Sequence, residues 1–268
     1  MSIFHALILA LIQGVTEFLP ISSTAHLVIL PRLTQWPDQG LAFDVALNTA
    51  TWLAVVLYFR SDLLRLTRGF FHSIAGRRYR TIGGNQDGRL AWMMLFATIP
   101  VGLAGFFAHD LVAGRLRTLP VVALSSIIWG IVLFIADRRR GRREIRAMGW
   151  GAVAFIGIAQ AVALIPGTSR SGITITAGLF TGLSRSAAAR FSFLLSVIVG
   201  ALAGSMEGLK LFQAGLDTPW MPLIAGFVVA FISAYIVIHL FLKFITRASM
   251  TVFVLYRVAL GILLLTFF

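Results

Sequence analysis

Residues 8–31 read ILALIQGVTEFLPISSTAHLVILP, an apolar run that a proline and a cluster of polar side chains interrupt at its centre. Residues 160–176 read QAVALIPGTSRSGITIT and are interrupted in the same way. Irregular backbone at membrane depth is tolerated only where protein or a watery cavity satisfies its polar groups. We therefore predict that residues 1–31 and 149–183 each form a re-entrant hairpin of two short helices. A kinked ordinary span is the alternative for each.

The composition of the chain excludes most other classes of protein. Hydrophobic residues make up 58% of the 268 residues and charged residues only 12%, about half the proportion of charge in soluble proteins. A chain this apolar cannot cover its core with polar surface, and the same numbers exclude disorder. The absence of cysteine excludes disulfides and thiol nucleophiles. We predict an all-α integral membrane protein in which residues 1–268 form a single membrane domain.

Six further segments are long and apolar enough to cross a bilayer, which takes about 20 residues of helix. Together with the hairpins they predict about six transmembrane helices plus two re-entrant helical hairpins. The six segments are residues 41–59, 90–107, 119–136, 187–206, 221–242 and 250–268.

The net charge of +13 is concentrated in two loops. Residues 60–89 and 138–147 together hold 13 arginines and 3 acids. In a soluble protein such charge would suggest nucleic acid, but in a membrane protein it first indicates cytoplasmic loops. We therefore expect membrane lipids and no nucleic acid as partners. With both loops in the cytoplasm, we expect the first hairpin and both termini to lie on the outer face. Because the N-terminal segment lacks lysine and arginine, we do not expect it to be a signal peptide.

The two halves of the chain, about 1–137 and 148–268, show the same order of a broken hairpin followed by three spans. Residues 19–23 (LPISS) pair with residues 165–169 (IPGTS), and Gln13 has a partner in Gln160 that is one residue out of step. Because each half crosses the membrane three times, an odd number, the second half is inverted in the membrane relative to the first. Inverted repeats with paired broken helices place a binding site near the midplane. Chance similarity of such short matches is the alternative.

The first break carries a carboxylate, an imidazole and two hydroxyls. Gln13 and Glu17 are four residues apart and share one helix face. Ser22 or Ser23 can cap the second half-helix, and either hydroxyl can face His26, which lies three or four residues further on. An acid in an apolar hairpin is functional by default, whereas capping alone would explain the serines and simple packing would explain the histidine.

The second break has the features of an anion site. Its two glycines let the backbone turn so that amide groups converge, and the following half-helix adds its N-terminal dipole. Arg170 supplies a planar fork that suits phosphate oxygens, although a structural salt bridge to Glu17 is the alternative. The other candidate phosphate contacts here are Thr168, Ser169, Ser171, Gly172 and Thr174.

This set of side chains suits phosphoryl chemistry. A hydroxyl can attack phosphorus with His26 as base or acid, while Arg170 and backbone amides hold the developing charge. Glu17, with Gln13, can bind Mg²⁺ or Ca²⁺ through oxygen ligands. Asn48 and Thr51, near the outer end of the span 41–59, are candidate pocket residues.

At these residues the chain resembles a known family, the bacterial undecaprenyl-diphosphate phosphatases, also called the bacitracin-resistance family. Residues 13–27 (QGVTEFLPISSTAHL) and 166–172 (PGTSRSG) resemble its two signatures. The resemblance covers the whole chain. It implies a bacterial inner-membrane hydrolase that converts undecaprenyl diphosphate, a polyprenyl diphosphate lipid, to the monophosphate and inorganic phosphate. This reaction recycles the lipid carrier of cell-wall synthesis and confers bacitracin resistance.

The resemblance also implies a divalent cation and a pocket that opens to the outer face. It implies that Glu17, Ser23, His26 and Arg170 are catalytic and that Ser22, Ser169 and Thr174 contact phosphate. Many members have glutamate where this chain has Gln13, which puts a two-carboxylate cation site in doubt. Whether His26 or Glu17 activates Ser23, and whether a metal-bound water attacks instead, stays open at this point, as does the oligomeric state.

A function of another class fits the same features. Inverted repeats with broken helices are typical of transporters, so a lipid-phosphate transporter or flippase is the alternative. Such a protein needs Arg170 to bind phosphate but needs no nucleophile.

Overall fold

The computed structural model describes residues 2–36, 40–75, 85–107, 116, 118–214 and 220–267. Within these ranges the chain forms eleven α-helices and one short 3-10 turn at Ile145–Ala147, with a single isolated β-bridge between Arg143 and Leu183 and no strand. The prediction of an all-α membrane protein is confirmed.

The helices follow the predicted order. The first hairpin is α1 (Ile3–Thr16) and α2 (Ser23–Thr34). The next four helices are α3 (Leu41–Tyr58), α4 (Arg60–Ala75), α5 (Gln86–Phe107) and α6 (Leu119–Asp137). The second hairpin is α7 (Trp150–Val162) and α8 (Arg170–Phe180), and the last helices are α9 (Arg185–Ala214), α10 (Trp220–Ile245) and α11 (Thr251–Phe267).

Five helices of the described residues are long and apolar enough to span a membrane, namely α3, α5, α6, α9 and α10. The sixth predicted span, residues 250–268, forms α11, which has 17 residues. At 1.5 Å per residue its length is about 26 Å, a little less than the roughly 30 Å of bilayer hydrocarbon. The sixth predicted span is therefore present as a 17-residue apolar helix, at the short end of the range that crosses a bilayer.

Both hairpins return to the side from which they enter, so the kinked-span alternative is wrong. The ring of Trp36, just after α2, stacks on His5 near the start of α1, with centroids 4.1 Å apart. In the second hairpin, the backbone N–H of Arg143, which precedes α7, donates to the Gly182 carbonyl after α8. Each pair of half-helices thus packs antiparallel.

Helix α4 lies inside the stretch that the sequence analysis treated as a loop. It is amphipathic: Leu66 and Gly69 are buried, whereas Arg65 and Arg68 are exposed. The Phe70 ring contacts Trp92 of α5 at 4.9 Å between centroids. The apolar spacing of this helix was not recognised in the sequence because arginines are interspersed with it. Arg77, Arg78 and Arg80 of the same stretch lie outside the described residues.

The arginine-rich segments meet at one end of the helical bundle. Arg190, near the start of α9, donates to Asp62 of α4 at 3.0 Å, and Arg185 pairs with the buried Asp137 at the end of α6 at 2.9 Å. Asp137 also accepts from the backbone N–H of Met250, just before α11. These contacts join the end of α6 and the starts of α4, α9 and α11 into one face, hereafter the arginine-rich face.

The packing of the helices is compatible with the predicted inverted repeat. Helix α1 packs on α10 and α7 packs on α5, while α3 packs on α9 and α6 on α11. These pairs interchange or map onto themselves when the halves are exchanged. The repeat stays a prediction, but its register changes: α2 begins at Ser23 and α8 at Arg170, so Ser22 corresponds to Ser169. The sequence comparison had paired Ser23 with Ser169, because it aligned the two prolines.

Candidate functional site

Each break ends in a serine whose backbone is left-handed. Ser22 has φ 71° and Ser169 has φ 70°, and each immediately precedes a half-helix. This conformation costs a non-glycine residue about 1–2 kcal/mol, and such strain persists mainly at functional sites. In the same register, Gln13 and Gln160 are both buried, and each has a side-chain oxygen without a hydrogen-bond partner among the described residues. The breaks therefore match in conformation as well as in sequence.

Hydrogen bonds tie the second break to the first. The Ser169 hydroxyl accepts from the backbone N–H of Gly172 at 3.1 Å and so caps α8. The Ser171 hydroxyl donates to the Leu19 carbonyl of the first break at 2.9 Å. The turn itself is made by Gly167, with φ 88°, and Ser169. Gly172 was expected to belong to that turn, but it lies in the first turn of α8.

Glu17 is the centre of the site. Its Oε2 accepts from the Ser23 hydroxyl at 2.6 Å and from the Gln13 side-chain amide at 3.2 Å. Its Oε1 accepts from the Arg170 Nη2 at 2.9 Å. One carboxylate therefore links a hydroxyl of the first break to the guanidinium of the second, and the ion pair expected as an alternative for Arg170 is present.

One nitrogen of the Arg170 guanidinium makes no hydrogen bond to the described residues. Its Nη1 is buried and has no hydrogen-bond partner among the described residues, while Nη2 is engaged with Glu17. A buried donor without a partner costs about 1–3 kcal/mol or more when it is charged. An anion at Nη1 would remove that cost, and a guanidinium can bind phosphate oxygens in a fork.

Gln13 connects the site to α3. Its amide nitrogen also donates to the Asn48 Oδ1 at 3.0 Å, which places the predicted pocket residue Asn48 against the first break. The Gln13 Oε1 is buried and without a partner in the described part of the chain. An amide oxygen four residues from Glu17 on the same helix face is a suitable ligand for a hard cation.

A polar cavity of about 390 Å³ lies between the breaks. Its polar lining consists of Gln13, Glu17, Ser22, Ser23, Thr24, Asp44, Asn48, Ser169, Arg170 and Glu207. A second, more apolar cavity of about 500 Å³ shares Glu17, Asn48, Arg170 and Glu207 with the first and is also lined by Thr51 and Trp52. The two cavities therefore flank the Glu17–Arg170 pair, and both predicted pocket residues line one of them.

His26 does not face either serine hydroxyl. Its Nδ1 is 2.7 Å from the Ser22 carbonyl, which can only accept, so Nδ1 carries the proton of this bond. Its Nε2 contacts the Tyr256 hydroxyl of α11, and the two rings stack. The expectation that the imidazole faces the hydroxyl of Ser22 or Ser23 is wrong in this structure, because both ring nitrogens contact other groups.

Several predicted phosphate contacts lie behind the cavity rather than on its wall. The Thr174 hydroxyl is buried and bonds to the Arg170 carbonyl and to Ser192. Ser171 bonds to Leu19 and Ser169. The Thr168 hydroxyl is buried without a partner among the described residues. Of the predicted contacts, Ser22, Ser169 and Arg170 line the cavity, while Thr168, Ser171, Gly172 and Thr174 do not.

Four residues at or near this site were not predicted from the sequence. Asp44 and Glu207 line the polar cavity, and Tyr256 and Arg257 of α11 contact the breaks. A signal existed for Arg257, because an ionisable residue inside an apolar span is functional by default. The position of Asp44, one turn into a span, offered the same signal.

Comparison with known proteins places this geometry in context. A family model described as "Bacitracin resistance protein BacA" matches residues 6–263. A protein of Teredinibacter turnerae named undecaprenyl-diphosphatase is 48% identical over 265 residues, which cover 98% of each chain. Proteins of Thioalkalivibrio sulfidiphilus and Campylobacter curvus with the same name are 49% and 47% identical, and each alignment covers 100% of both chains. The similarity thus extends over the entire sequence.

Proposed function

Since this chain belongs to the bacitracin resistance protein BacA family, we propose that it hydrolyses undecaprenyl diphosphate to undecaprenyl phosphate and inorganic phosphate. The reaction recycles the lipid carrier of peptidoglycan and other cell-wall polymers and so confers bacitracin resistance. The observation that carries the proposal is the Glu17 carboxylate, which bonds to the Ser23 hydroxyl on one side and to Arg170 on the other.

Arg170 is the anchor for the terminal phosphate. Its Nη1, which has no partner in the described part of the chain, takes one phosphate oxygen, and the capped start of α8 adds the positive end of a helix dipole. Nη2 can stay bonded to Oε1 of Glu17 while Nη1 takes the phosphate. Oε2 of Glu17 then stays bonded to Ser23, where a base is needed.

Ser23 is the proposed nucleophile. Its oxygen attacks the terminal phosphorus and its proton passes to Glu17, which lies 2.6 Å away. The bond from phosphorus to the bridging oxygen breaks, and undecaprenyl phosphate leaves with that oxygen. Water then cleaves the phosphoserine and releases inorganic phosphate. Of the two bases considered from the sequence, the geometry favours Glu17, because His26 is engaged with the Ser22 carbonyl and Tyr256.

A divalent cation, Mg²⁺ or Ca²⁺, is part of the proposal. The described residues contain no group of three or more His, Asp or Glu side chains that could enclose an ion. Glu17 and the unpartnered Oε1 of Gln13 fit a cation that takes its remaining ligands from phosphate and water. Such an ion would neutralise the charge of the diphosphate and of the departing monophosphate.

We place the protein in the bacterial inner membrane with the arginine-rich face in the cytoplasm, which follows the positive-inside rule. The polar cavity is lined by Leu41 and Asp44 at the opposite end of α3 from Arg60. Glu207, another wall residue, lies 22 residues along α9 from Arg185, a rise of about 33 Å. The cavity therefore opens on the outer side, where both termini also lie.

Phosphate release by the purified protein tests the function. The protein in detergent, supplied with undecaprenyl diphosphate and Mg²⁺ or Ca²⁺, should release inorganic phosphate, and a chelator should stop the release. No release with either ion would contradict the proposal.

A second candidate function, transport of a lipid phosphate, is favoured by the matched breaks at Ser22 and Ser169. Paired broken helices are the usual place of a transport site. Movement of labelled undecaprenyl phosphate from one leaflet to the other, in the membrane of vesicles that contain the Ser23→Ala variant, would support this function, since transport needs no nucleophile.

A further inference from the structure

Arg257 is a fully buried cation without a carboxylate partner among the described residues. It lies in the middle of α11 and has no exposed surface. Its guanidinium donates to five backbone carbonyl oxygens instead of forming an ion pair. Burying a charge costs several kcal/mol unless dipoles or counter-charges compensate for it. Here the carbonyl dipoles are that compensation.

The five carbonyls come from both breaks and from the helix between them. Nη1 donates to Pro20 of the first break at 3.2 Å. Nη2 donates to Gly167 and Thr168 of the second break at 2.9 and 2.8 Å. The remaining two bonds go to Ser125 and Ser126 of α6. One side chain therefore joins the two loops that form the polar cavity.

These bonds also set the direction of the amide groups. In a trans peptide unit the carbonyl and the following N–H point in opposite directions. Because the Thr168 carbonyl is turned towards Arg257, the N–H of Ser169 points away from it, and Ser169 is a wall residue of the polar cavity. Arg257 thus turns carbonyl oxygens, which would repel an anion, away from the cavity.

The charge of Arg257 lies directly beneath the first turn of α8. A Cβ atom added to Gly172 would lie 2.8 Å from Nη1 of Arg257. Glycine at this position permits that approach. The guanidinium therefore adds a fixed positive charge behind the end of the helix that, with Arg170 in front, faces the diphosphate.

We propose that Arg257 is a positioning residue for a phosphate-binding site, which it builds by turning the backbone of both breaks and by adding a buried positive charge behind them. This proposal rests on the phosphate site of the proposed function. The ligand class is a diphosphate or monophosphate anion, whether it belongs to a lipid or is free in solution.

The test compares Arg257→Lys and Arg257→Met with Arg185→Lys and Arg185→Met as matched controls. Arg185 is partly buried and, like Arg257, bonds to a backbone carbonyl, that of Ala248, but it lies at the arginine-rich face. The probe is inorganic diphosphate, and its affinity is read from the rise of the unfolding temperature of the purified protein with increasing diphosphate. Phosphate release from the lipid is measured separately.

We expect all four variants to unfold at lower temperature than the unaltered protein. Only the Arg257 variants should lose affinity for diphosphate, by about tenfold or more, because the backbone amides of the breaks are then no longer held towards the anion. Arg257→Lys should bind diphosphate more tightly than Arg257→Met, because it keeps the positive charge and loses only the planar guanidinium. Should Arg257→Met fail to fold, Arg257→Lys decides the matter.

Unchanged diphosphate affinity in Arg257→Lys, together with a lowered unfolding temperature, would show a purely structural role and overturn the proposal. Equal losses of affinity in the Arg185 and Arg257 variants would overturn it as well. If the unaltered protein binds diphosphate but releases no phosphate from the lipid, the proposed hydrolysis fails. In that case a selective loss of diphosphate affinity in the Arg257 variants would still support the present proposal.

Discussion

The Ser23 hydroxyl donates a 2.6 Å hydrogen bond to the Glu17 carboxylate, which at the same time accepts from Arg170 of the other hairpin. Glu17 and Ser23 are six positions apart and lie on opposite sides of the first break. The break brings a carboxylate and a hydroxyl together that a continuous helix would separate. In the proposed mechanism this contact joins the nucleophile, Ser23, to its base, Glu17.

Replacing Glu17 by Gln should lower the rate of phosphate release at least about 100-fold, because general-base catalysis typically contributes 10²–10⁴-fold. The amide keeps nearly the same shape and can still bond to Ser23, so the fold should persist. The measurement is phosphate release at saturating lipid. Asp87→Asn is the control, since Asp87 pairs with Arg146 at 3.5 Å, away from the site, and it should keep the normal rate.

Replacing Arg170 by Lys should weaken substrate binding and raise KM by about tenfold or more. An ammonium group cannot bond to Glu17 and phosphate in the planar fork of a guanidinium. The check is a KM and kcat series with undecaprenyl diphosphate. In the control, Arg190→Lys, which alters the pair with Asp62, KM should stay unchanged. A normal KM for Arg170→Lys would show that Nη1 does not receive phosphate.

Replacing Gln13 by Glu should strengthen cation binding, because it adds a second carboxylate next to Glu17. The Gln13 amide lies 3.2 Å from Glu17 Oε2, so two carboxylates here repel each other without a cation. We expect the unfolding temperature of Gln13→Glu to fall in a chelator and to rise with Ca²⁺ more than that of the unaltered protein. The same response in both proteins would exclude Gln13 from the cation site.

Replacing Gly167 by Ala should destabilise the protein by about 2–4 kcal/mol, through strained backbone and overpacking. Gly167 has φ +88°, and an added Cβ would lie 2.4 Å from the Val122 carbonyl oxygen. The measurement is the unfolding temperature in detergent. Gly151→Ala is the matched control, because a Cβ there meets nothing within 4 Å; this helical position should be neutral or slightly stabilised.

The orientation in the membrane is tested by single cysteines, since the chain contains none of its own. A cysteine at Gly149, which has open space around it, should react only with reagents that reach the cytoplasm. One at the exposed Thr34, at the end of the first hairpin, should react from outside. The reverse pattern would contradict the placement of the arginine-rich face.

The sequence predicted the hairpins and the residues at their centre because polar groups in an apolar run have few physical explanations. Glu17 and Arg170 stood out on these grounds, and they are in contact. The register of the repeat was not readable in the same way. Pro20 and Pro166 suggested one alignment, but the matching left-handed serines differ from it by one residue.

Other features depend on contacts that no local pattern encodes. His26 was expected to face a serine hydroxyl by its spacing along α2, yet it contacts the hydroxyl of Tyr256, which is 230 residues away in the chain. The role of Arg257 is equally non-local, because its five acceptors are at least 89 residues away in the sequence. A rule about intramembrane charge identifies such a residue but not its partners.

The most direct test of the account is the turnover of the Ser23→Ala variant with undecaprenyl diphosphate labelled in its terminal phosphate. The unaltered protein should release labelled phosphate and, after an acid quench, should carry label on Ser23. Ser23→Ala should fold normally, carry no label and lose at least about 10³-fold in rate, whereas Ser61→Ala, at the exposed start of α4, should behave normally. Full turnover by Ser23→Ala would contradict the assignment of Ser23 as the nucleophile that Glu17 activates.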